Sequence, residues 1–139
     1  MVINWNSIGT WALRLLPALI MLQTLFYKFS ASEESVYIFS SLGMEPWGRI
    51  GSGVMELIAA VLLLYPRTTL IGAALGVGLM AGAIFFHLTK LGIVVLGDGG
   101  LLFVYALLTF TCCAVLLFLN RETVLGTLKF LFGKNDHLS

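Results

Sequence analysis

Apolar residues dominate four long stretches of the chain, at about 8–29, 47–65, 69–88 and 101–119. Each stretch approaches the roughly 20 residues that a helix needs to cross a hydrocarbon core of about 30 Å. Polar and glycine-containing segments separate the four stretches. The pattern predicts an all-α integral membrane bundle of four transmembrane helices, with residues 1–139 forming one domain.

The first two loops between these stretches carry turn signals and one helix signal. Ser30 and Glu33 have the spacing of a capping box, with Ser30 as the N-cap, and Gly43 can end the helix that the box begins. This pattern predicts a short interfacial helix in the first loop. The second loop contains little more than Pro66 and Arg67, so we expect spans two and three to form an antiparallel hairpin.

The third loop and the C-terminal tail are also patterned. Asp98 lies in a glycine-rich segment, so its carboxylate is expected to sit in a tight turn and to cap the fourth span. Residues 121–133 mix apolar and charged side chains, which predicts an amphipathic helix on the inner membrane surface. The first apolar stretch follows no basic segment and precedes no small-x-small cleavage site, so we expect it to remain as a helix.

The charge content of the chain excludes several classes of protein. Only 11% of the residues are charged and 59% are hydrophobic, whereas a soluble domain has about 25% charged residues. The chain therefore lacks the charge that a water-exposed surface requires. Its net charge of +1 provides no basic block to replace the counterions of phosphate groups, which excludes a nucleic-acid partner.

Cysteine and histidine spacing argues against thiol redox and metal centres. Cys112 and Cys113 are adjacent, and neighbouring side chains on a helix point about 100° apart, so a disulfide between them would distort the backbone. The pair also lacks the C-x-x-C spacing of a thiol redox motif, and we expect two buried, inert thiols. No second ligand follows His87 at the i+3 or i+4 position, so no metal site is expected.

The basic residues divide unequally between the two sides of the predicted bundle. One side holds Arg14, Arg67, Arg121, Lys129 and Lys134, and the other side holds Lys28, Arg49 and Lys90. The positive-inside rule then places both termini in the cytoplasm. On the other side, Lys28, Arg49 and Lys90 can extend to the lipid head groups, which is the preferred interpretation for Arg49 and Lys90.

Glu56 is the most informative residue, because it is an acid near the centre of the second span. A carboxylate at this depth needs a partner, a water-filled cavity or a proton. It shares a helix face with Gly53 and Arg49. Pairing with Arg14 or Lys28 is one interpretation, but neither lies at the depth of Glu56 when positions are counted at about 1.5 Å per residue. A protonated or ligand-facing acid is therefore favoured over a salt bridge.

The other spans also place small and polar residues on one face. These stripes contain Gly72, Gly76, Met80, Ala83 and His87 on span three, Asp98, Tyr105, Thr109 and Cys112 on span four, and Arg14, Ala18, Met21, Leu25 and Lys28 on span one. Such stripes are typical of packing seams and also of a polar interior. Candidate ligand-binding or proton-exchange residues are Glu56, His87, Arg14, Lys28, Met80 and Tyr105. No catalytic residue is assigned, and His87 is either a satisfied interfacial histidine or a binding or proton-transfer group.

The order of these motifs resembles the DoxX family of small four-helix bacterial membrane proteins. The resemblance spans about residues 13–120. It is carried by Arg14 followed by Lys28, Leu42-Gly43-Met44-Glu45-Pro46, Gly51-Ser52-Gly53-Val54-Met55-Glu56, and Met80-x-x-Ala83-x-x-x-His87. The resemblance implies a multi-pass protein of the bacterial cytoplasmic (inner) membrane that is associated with a quinone-linked oxidoreductase system. Many family members have no assigned activity, and a fold does not carry a function with it.

Three functions are compatible with these features. The first is a membrane subunit of a quinone-linked oxidoreductase, with a bound quinone or lipid in place of an intrinsic cofactor and with a membrane redox partner subunit. The second is a binding or transport module for a small lipophilic or cationic compound, with Glu56 as the counter-charge. The third is a non-catalytic protein that assembles other membrane components. All three functions place the chain in the lipid bilayer, and all three allow a homo-oligomer. If the protein takes part in an enzymatic reaction, we expect it to do so at most as a quinone-binding subunit.

Overall fold

The computed structural model describes residues 8–133, and these residues form helices and loops without a strand. The helices are α1 (Ile8–Phe29), α2 (Glu33–Ser41), α3 (Trp47–Leu64), α4 (Thr69–Phe86), α5 (Leu101–Leu119) and α6 (Arg121–Gly133), and a π-helical turn, His87–Leu91, continues α4. Helices α1, α3, α5 and the extended α4 are long and apolar enough to cross a membrane. This confirms the all-α bundle with four membrane-spanning helices and a short helix in the first loop. Lys134, counted above among the basic residues, lies outside the described residues.

The four long helices form a ring in which neighbouring helices are antiparallel. Helix α1 packs against α3 and α5, and α4 packs against the same two helices. We name the end of the bundle where α1 stops and α3 begins the α2 end, because α2 lies there. The opposite end, where residues 65–68 join α3 to α4, is the hairpin end. A tightly packed core occupies the half nearer the hairpin end and contains Ala18, Met21, Ala59, Ala60, Leu63, Ala73, Cys113 and Leu116.

Helix α2 begins later than the capping-box pattern predicted, because Ser30 is still hydrogen-bonded to the last turn of α1. The Ser30 N–H still donates to the Phe26 carbonyl of α1, at 3.0 Å. Ala31 then adopts a left-handed φ of 54°, which ends α1. The N-cap of α2 is therefore Ser32, whose side chain accepts a hydrogen bond from the Ser35 N–H at 3.3 Å.

Helices α3 and α4 form the predicted hairpin, and their backbones lie in direct contact. A Cβ atom added to Gly72 would lie 2.6 Å from the Leu63 nitrogen and 2.9 Å from the Ala59 carbonyl oxygen. The Thr69 hydroxyl donates to the Leu63 carbonyl at 3.1 Å, across the turn. A small residue at position 72 is thus what allows the two helices to approach this closely.

The buried face of α5 differs slightly from the predicted stripe of Tyr105, Thr109 and Cys112. The buried residues are Ala106, Thr109, Cys113 and Leu116. Because α5 is apolar on all sides, its sequence does not distinguish between two adjacent faces. Both cysteines are free thiols, as predicted, but only Cys113 is fully buried and Cys112 is half-buried.

Large apolar side chains cover the outward faces of the four long helices. The exposed ones include Leu19, Phe26, Ile58, Val61, Ile71, Phe85, Leu107, Leu108 and Phe118. Soluble proteins rarely expose continuous apolar surfaces of this extent, whereas a bilayer accommodates them. The chain is therefore an integral membrane protein whose helices contact lipid.

Candidate functional site

A cavity of about 650 Å³ lies between the four long helices at the α2 end. Helix α2 lies beside it and contributes Ser35, Ile38 and Phe39 to its lining. Most of the lining is apolar. Small-molecule sites usually have volumes of about 300–1,000 Å³ and apolar walls with a few polar groups. This cavity has the size and character of such a site.

The cavity stops near the middle of the bundle. The lining residues nearest the hairpin end are Ile20, Glu56, Gly78 and Ala106, one on each long helix. Beyond them, the packed core fills the space between the helices. The described residues therefore enclose a pocket at one end of the bundle, and they do not enclose a pore that runs through it.

Glu56 lines this cavity and forms a salt bridge. Lys28 Nζ lies 2.5 Å from Glu56 Oε1, and the Thr24 hydroxyl donates to Glu56 Oε2 at 3.2 Å. Glu56 is 6% exposed, and the Lys28 side chain is 15% exposed. The prediction that Glu56 is protonated or ligand-facing rather than salt-bridged is therefore wrong about the salt bridge. The same residue nevertheless belongs to the cavity wall.

The directions of α1 and α3 explain how Lys28 reaches Glu56 from another depth. Side chains on an α-helix lean toward the N-terminus of that helix. Helix α1 runs toward the α2 end and α3 runs away from it. Lys28 therefore leans toward the hairpin end while Glu56 leans toward the α2 end. The two side chains converge, and counting residues along each helix separately does not reveal this.

Arg49 connects the end of α1 to the start of α3 through hydrogen bonds. Its Nε atom donates to Glu45 Oε1 at 2.9 Å and Oε2 at 3.0 Å, and its Nη1 atom donates to the backbone carbonyl of Lys28. Arg49 is buried, so the expectation that it extends to the head groups is wrong. The last carbonyls of a helix lack intrahelical partners, and Arg49 supplies one. Its position holds the Lys28 backbone against α3.

His87 begins the π-helical turn and also lines the cavity. Its Nδ1 atom lies 2.9 Å from the Gly92 carbonyl oxygen. Because a carbonyl can only accept, Nδ1 carries the hydrogen, which leaves Nε2 as the ring nitrogen available to a ligand. The Phe103 ring makes an edge contact with the imidazole, with 5.6 Å between ring centroids. Single π-helical turns occur frequently at functional sites.

Two further acids line the cavity, Glu34 on α2 and Asp98 in the loop before α5. Asp98 Oδ1 accepts hydrogen bonds from the Val95 and Gly100 N–H groups at 2.9 and 2.8 Å, and Oδ2 accepts one from Leu102 at 3.2 Å. This confirms the predicted turn, with Asp98 capping α5. Neither acid was a predicted site residue, because Asp98 was assigned to the turn and Glu34 to an interfacial helix.

The surroundings of these two acids have opposite effects on their protonation. Burial alone would raise the pKa of Asp98, but its backbone hydrogen bonds and the charge of His87 bring that pKa below its ordinary value. Burial raises the pKa of the Glu34 carboxyl, and the negative charge of Asp98 raises it further. Helical phase could have revealed Glu34, because it lies one turn before Ile38 and therefore borders the apolar face of α2.

Arg14 lies at the hairpin end, apart from the cavity. Its side chain is fully buried, its Nε donates to the Leu63 carbonyl at 2.8 Å, and its Nη2 donates to the Leu64 carbonyl at 2.5 Å. Its guanidinium carbon is 4.0 Å from the ring centroid of Trp11. Arg14 thus binds the free carbonyls at the C-terminus of α3. It is not among the lining residues, so its place in the candidate site is corrected to a structural one.

The family model described as DoxX-like family matches residues 12–117. The chain belongs to the DoxX-like family. No curated protein and no solved structure matches the chain. Every residue that lines the cavity falls within the matched range, so the cavity is built from the part of the chain that defines its membership in the DoxX-like family.

In this member of the DoxX-like family, five of the six candidate residues line one cavity: Glu56, His87, Lys28, Met80 and Tyr105. Together with Glu34 they provide an ammonium group, an imidazole, a phenol and carboxylates at the edge of an apolar space. Such a set can bind the polar group of a small molecule while the apolar wall contacts the rest of it. Their roles in ligand binding or proton exchange remain predictions.

Proposed function

We propose that this protein binds a small lipophilic molecule, bearing one polar group, in the cavity at the α2 end. The observation that carries the proposal is an apolar cavity of about 650 Å³ with the Lys28–Glu56 ion pair and His87 in its wall. The packed core beyond the cavity supports binding from one end rather than passage through the bundle. The lipid-facing helices give a lipophilic ligand a route by diffusion in the membrane.

Association with a quinone-linked oxidoreductase, which the family resemblance implies, is the narrower form of this proposal. A quinone presents two carbonyl oxygens on a flat apolar ring. The Lys28 ammonium and the Tyr105 hydroxyl can each donate a hydrogen bond to such a carbonyl. In this form, the chain holds a quinone in the bilayer beside a redox partner subunit.

Equilibrium dialysis of the full chain in lipid nanodiscs tests the proposal. The probes are naphthylmethylamine, naphthylmethanol and the quinone menadione, which share one ring frame, and nanodiscs without protein correct for partition into lipid. At least one probe is expected to bind the wild type. The Gly82→Leu variant is expected to bind that probe about tenfold more weakly, because the added side chain occupies the cavity. A Cβ atom at Gly82 meets no atom within 4 Å, so the backbone can accommodate the change.

Ala81→Leu is the matched control for the cavity-filling variant. Ala81 precedes Gly82 on α4, is exposed, and does not line the cavity. It is expected to retain the affinity of the wild type. Equal affinity in Gly82→Leu and the wild type would show that the probes bind elsewhere. If none of the three probes binds the wild type, the proposed function is wrong.

A further inference from the structure

Glu34, a residue of the cavity wall, has a buried carboxylate oxygen that the described part of the fold leaves unpaired. Glu34 Oε1 is buried and has no hydrogen-bond partner within residues 8–133. Over the same residues, the ion pairs join Lys28 to Glu56 and Arg49 to Glu45, and neither includes Glu34. An unpaired buried acceptor carries the full cost of its lost hydration. Oε1 itself has almost no accessible surface, so a ligand in the cavity reaches the Glu34 carboxylate when this side chain turns toward the cavity, and the ligand then supplies the missing donor.

The other charges around the cavity already have partners. Lys28 and Glu56 neutralise each other. Three backbone N–H groups bind the Asp98 carboxylate, and His87 contributes a favourable charge to it. The first turn of α2 gives Glu34 some stabilisation through the helix dipole, but it provides no donor for Oε1. Among the acids that line the cavity, Glu34 is therefore the one with a carboxylate oxygen that no group of residues 8–133 binds.

We infer that Glu34 binds the positively charged head group of the ligand, so the cavity selects lipophilic amines that are protonated at neutral pH. This inference rests on the proposed function, because it names the ligand class of the same cavity. An ammonium N–H supplies the missing donor and the missing positive charge in one charge-assisted hydrogen bond. The lining also contains aromatic rings, which favour cations over their faces: Tyr27, Phe39, Trp47, Phe86 and Tyr105.

A quinone does not meet the requirement of Glu34. It carries neither a positive charge nor a hydrogen-bond donor, so it would leave Oε1 buried and unpaired. A neutral alcohol supplies a donor but no charge, and neutral hydrogen bonds are weaker than charge-assisted ones. The inference therefore predicts that the amine binds most tightly, whereas the quinone form of the proposed function predicts the opposite order for amine and quinone.

The pH dependence of amine binding follows from the groups that face Glu34 across the cavity. Burial and the charge of Asp98 raise the pKa of Glu34, so its carboxylate is ionised only above that raised value, and amine binding weakens as the pH falls through it. The other titratable groups around the cavity, His87, Asp98, Tyr105 and the Lys28–Glu56 ion pair, are common to the wild type and the variant. The part of the pH dependence due to Glu34 is the part that Glu34→Gln removes.

The test compares the three naphthalene probes by the same dialysis at neutral pH. Naphthylmethylamine is expected to bind the wild type about tenfold more tightly than naphthylmethanol. Glu34→Gln is expected to lower the affinity for the amine to that for the alcohol and to leave the affinity for the alcohol unchanged. The variant is expected to fold, because burial already disfavours the ionised form of this side chain.

Glu33→Gln is the matched control, because Glu33 lies in the same first turn of α2 but is exposed and does not line the cavity. It is expected to keep the affinity for the amine. The inference is overturned if menadione or the alcohol binds the wild type as tightly as the amine. It is also overturned if Glu33→Gln and Glu34→Gln weaken amine binding equally. Each of these two results requires that a probe binds, so each leaves the proposed function standing. If none of the three probes binds, the proposed function and the inference about Glu34 are both wrong.

Discussion

The ion pair between Lys28 and Glu56 is buried deeply enough for each charge to depend on the other. Taking either charge out of water is costly, and the attraction of its partner offsets that cost only while both are present. Thr24 adds a hydrogen bond to the second carboxylate oxygen. At the scale of single residues, removal of one partner is therefore more damaging than removal of both.

Glu56→Gln and Lys28→Met are each expected to lower the free energy of unfolding by about 3 kcal/mol, because each leaves one buried charge unpaired. The double variant is expected to lose less than the sum of the two losses. Denaturant unfolding of the wild type and the three variants in one detergent measures this. Glu122→Gln, which replaces an exposed acid of α6, is the control with no expected change. Additive losses would show that the two groups act independently.

At the scale of elements, the α3–α4 hairpin depends on direct backbone contact and on capped carbonyls. Gly72 permits the contact. The last carbonyls of α3 accept hydrogen bonds from Arg14 and from the threonine that begins α4, Thr69. Within a bilayer no water is available to satisfy these groups, so the protein must do so itself. The hairpin is therefore tightly packed, and side chains bind the Leu63 and Leu64 carbonyls at its turn.

Gly72→Ala is expected to destabilise the protein by about 1–3 kcal/mol, the usual range for overpacking. The added methyl group would meet backbone atoms of Leu63 and Ala59, so the two helices would have to separate. Gly78→Ala on the same helix is the control, because a Cβ atom there meets no atom within 4 Å. Thermal unfolding of both variants measures the difference. Because Ala is the better helix former, Gly78→Ala is expected to lose no stability, and a loss equal to that in Gly72→Ala would show that the contact with α3 is not the cause.

At the scale of the whole molecule, one half of the bundle is packed and the other half contains the cavity. Within residues 8–133, the exposed basic residues of the hairpin end are Arg67, Arg121 and Lys129. The positive-inside rule predicts that this end faces the cytoplasm. The cavity and α2 would then lie toward the opposite side of the membrane, where a ligand arriving from outside the cell can reach them.

Cysteine labelling in cells tests this orientation. Ser40→Cys places a thiol at an exposed position of α2, and Thr123→Cys places one at an exposed position of α6. A membrane-impermeant maleimide is expected to label Ser40→Cys in intact cells and Thr123→Cys only after permeabilisation. The wild type is the blank, because both of its cysteines lie within α5. The reverse labelling pattern would show that the predicted orientation is inverted.

The helices could be predicted from the sequence because the length and apolarity of a span are local properties. The Lys28–Glu56 pair could not, because convergence of the two side chains depends on α1 and α3 being adjacent and antiparallel. Helical phase places Glu34 beside the apolar face of α2, but its unpaired oxygen could not be predicted, since an acid in a loop helix is ordinarily solvated. Arg14 was assigned to a ligand site because its carbonyl partners are backbone atoms, which leave no signature in the sequence.

The two cations of α1 affect how the chain enters the membrane during synthesis. Arg14 and Lys28 both lie within the first span, and the Leu63 and Leu64 carbonyls and the Glu56 carboxylate, which bind them, belong to α3. A lone α1 leaving the translocon would lack these partners, and each cation adds to the cost of placing α1 alone in lipid. We therefore expect α1 to remain near the translocon until α3 has been synthesised, so that the first two spans enter the bilayer as one unit, although α2 separates them in the chain.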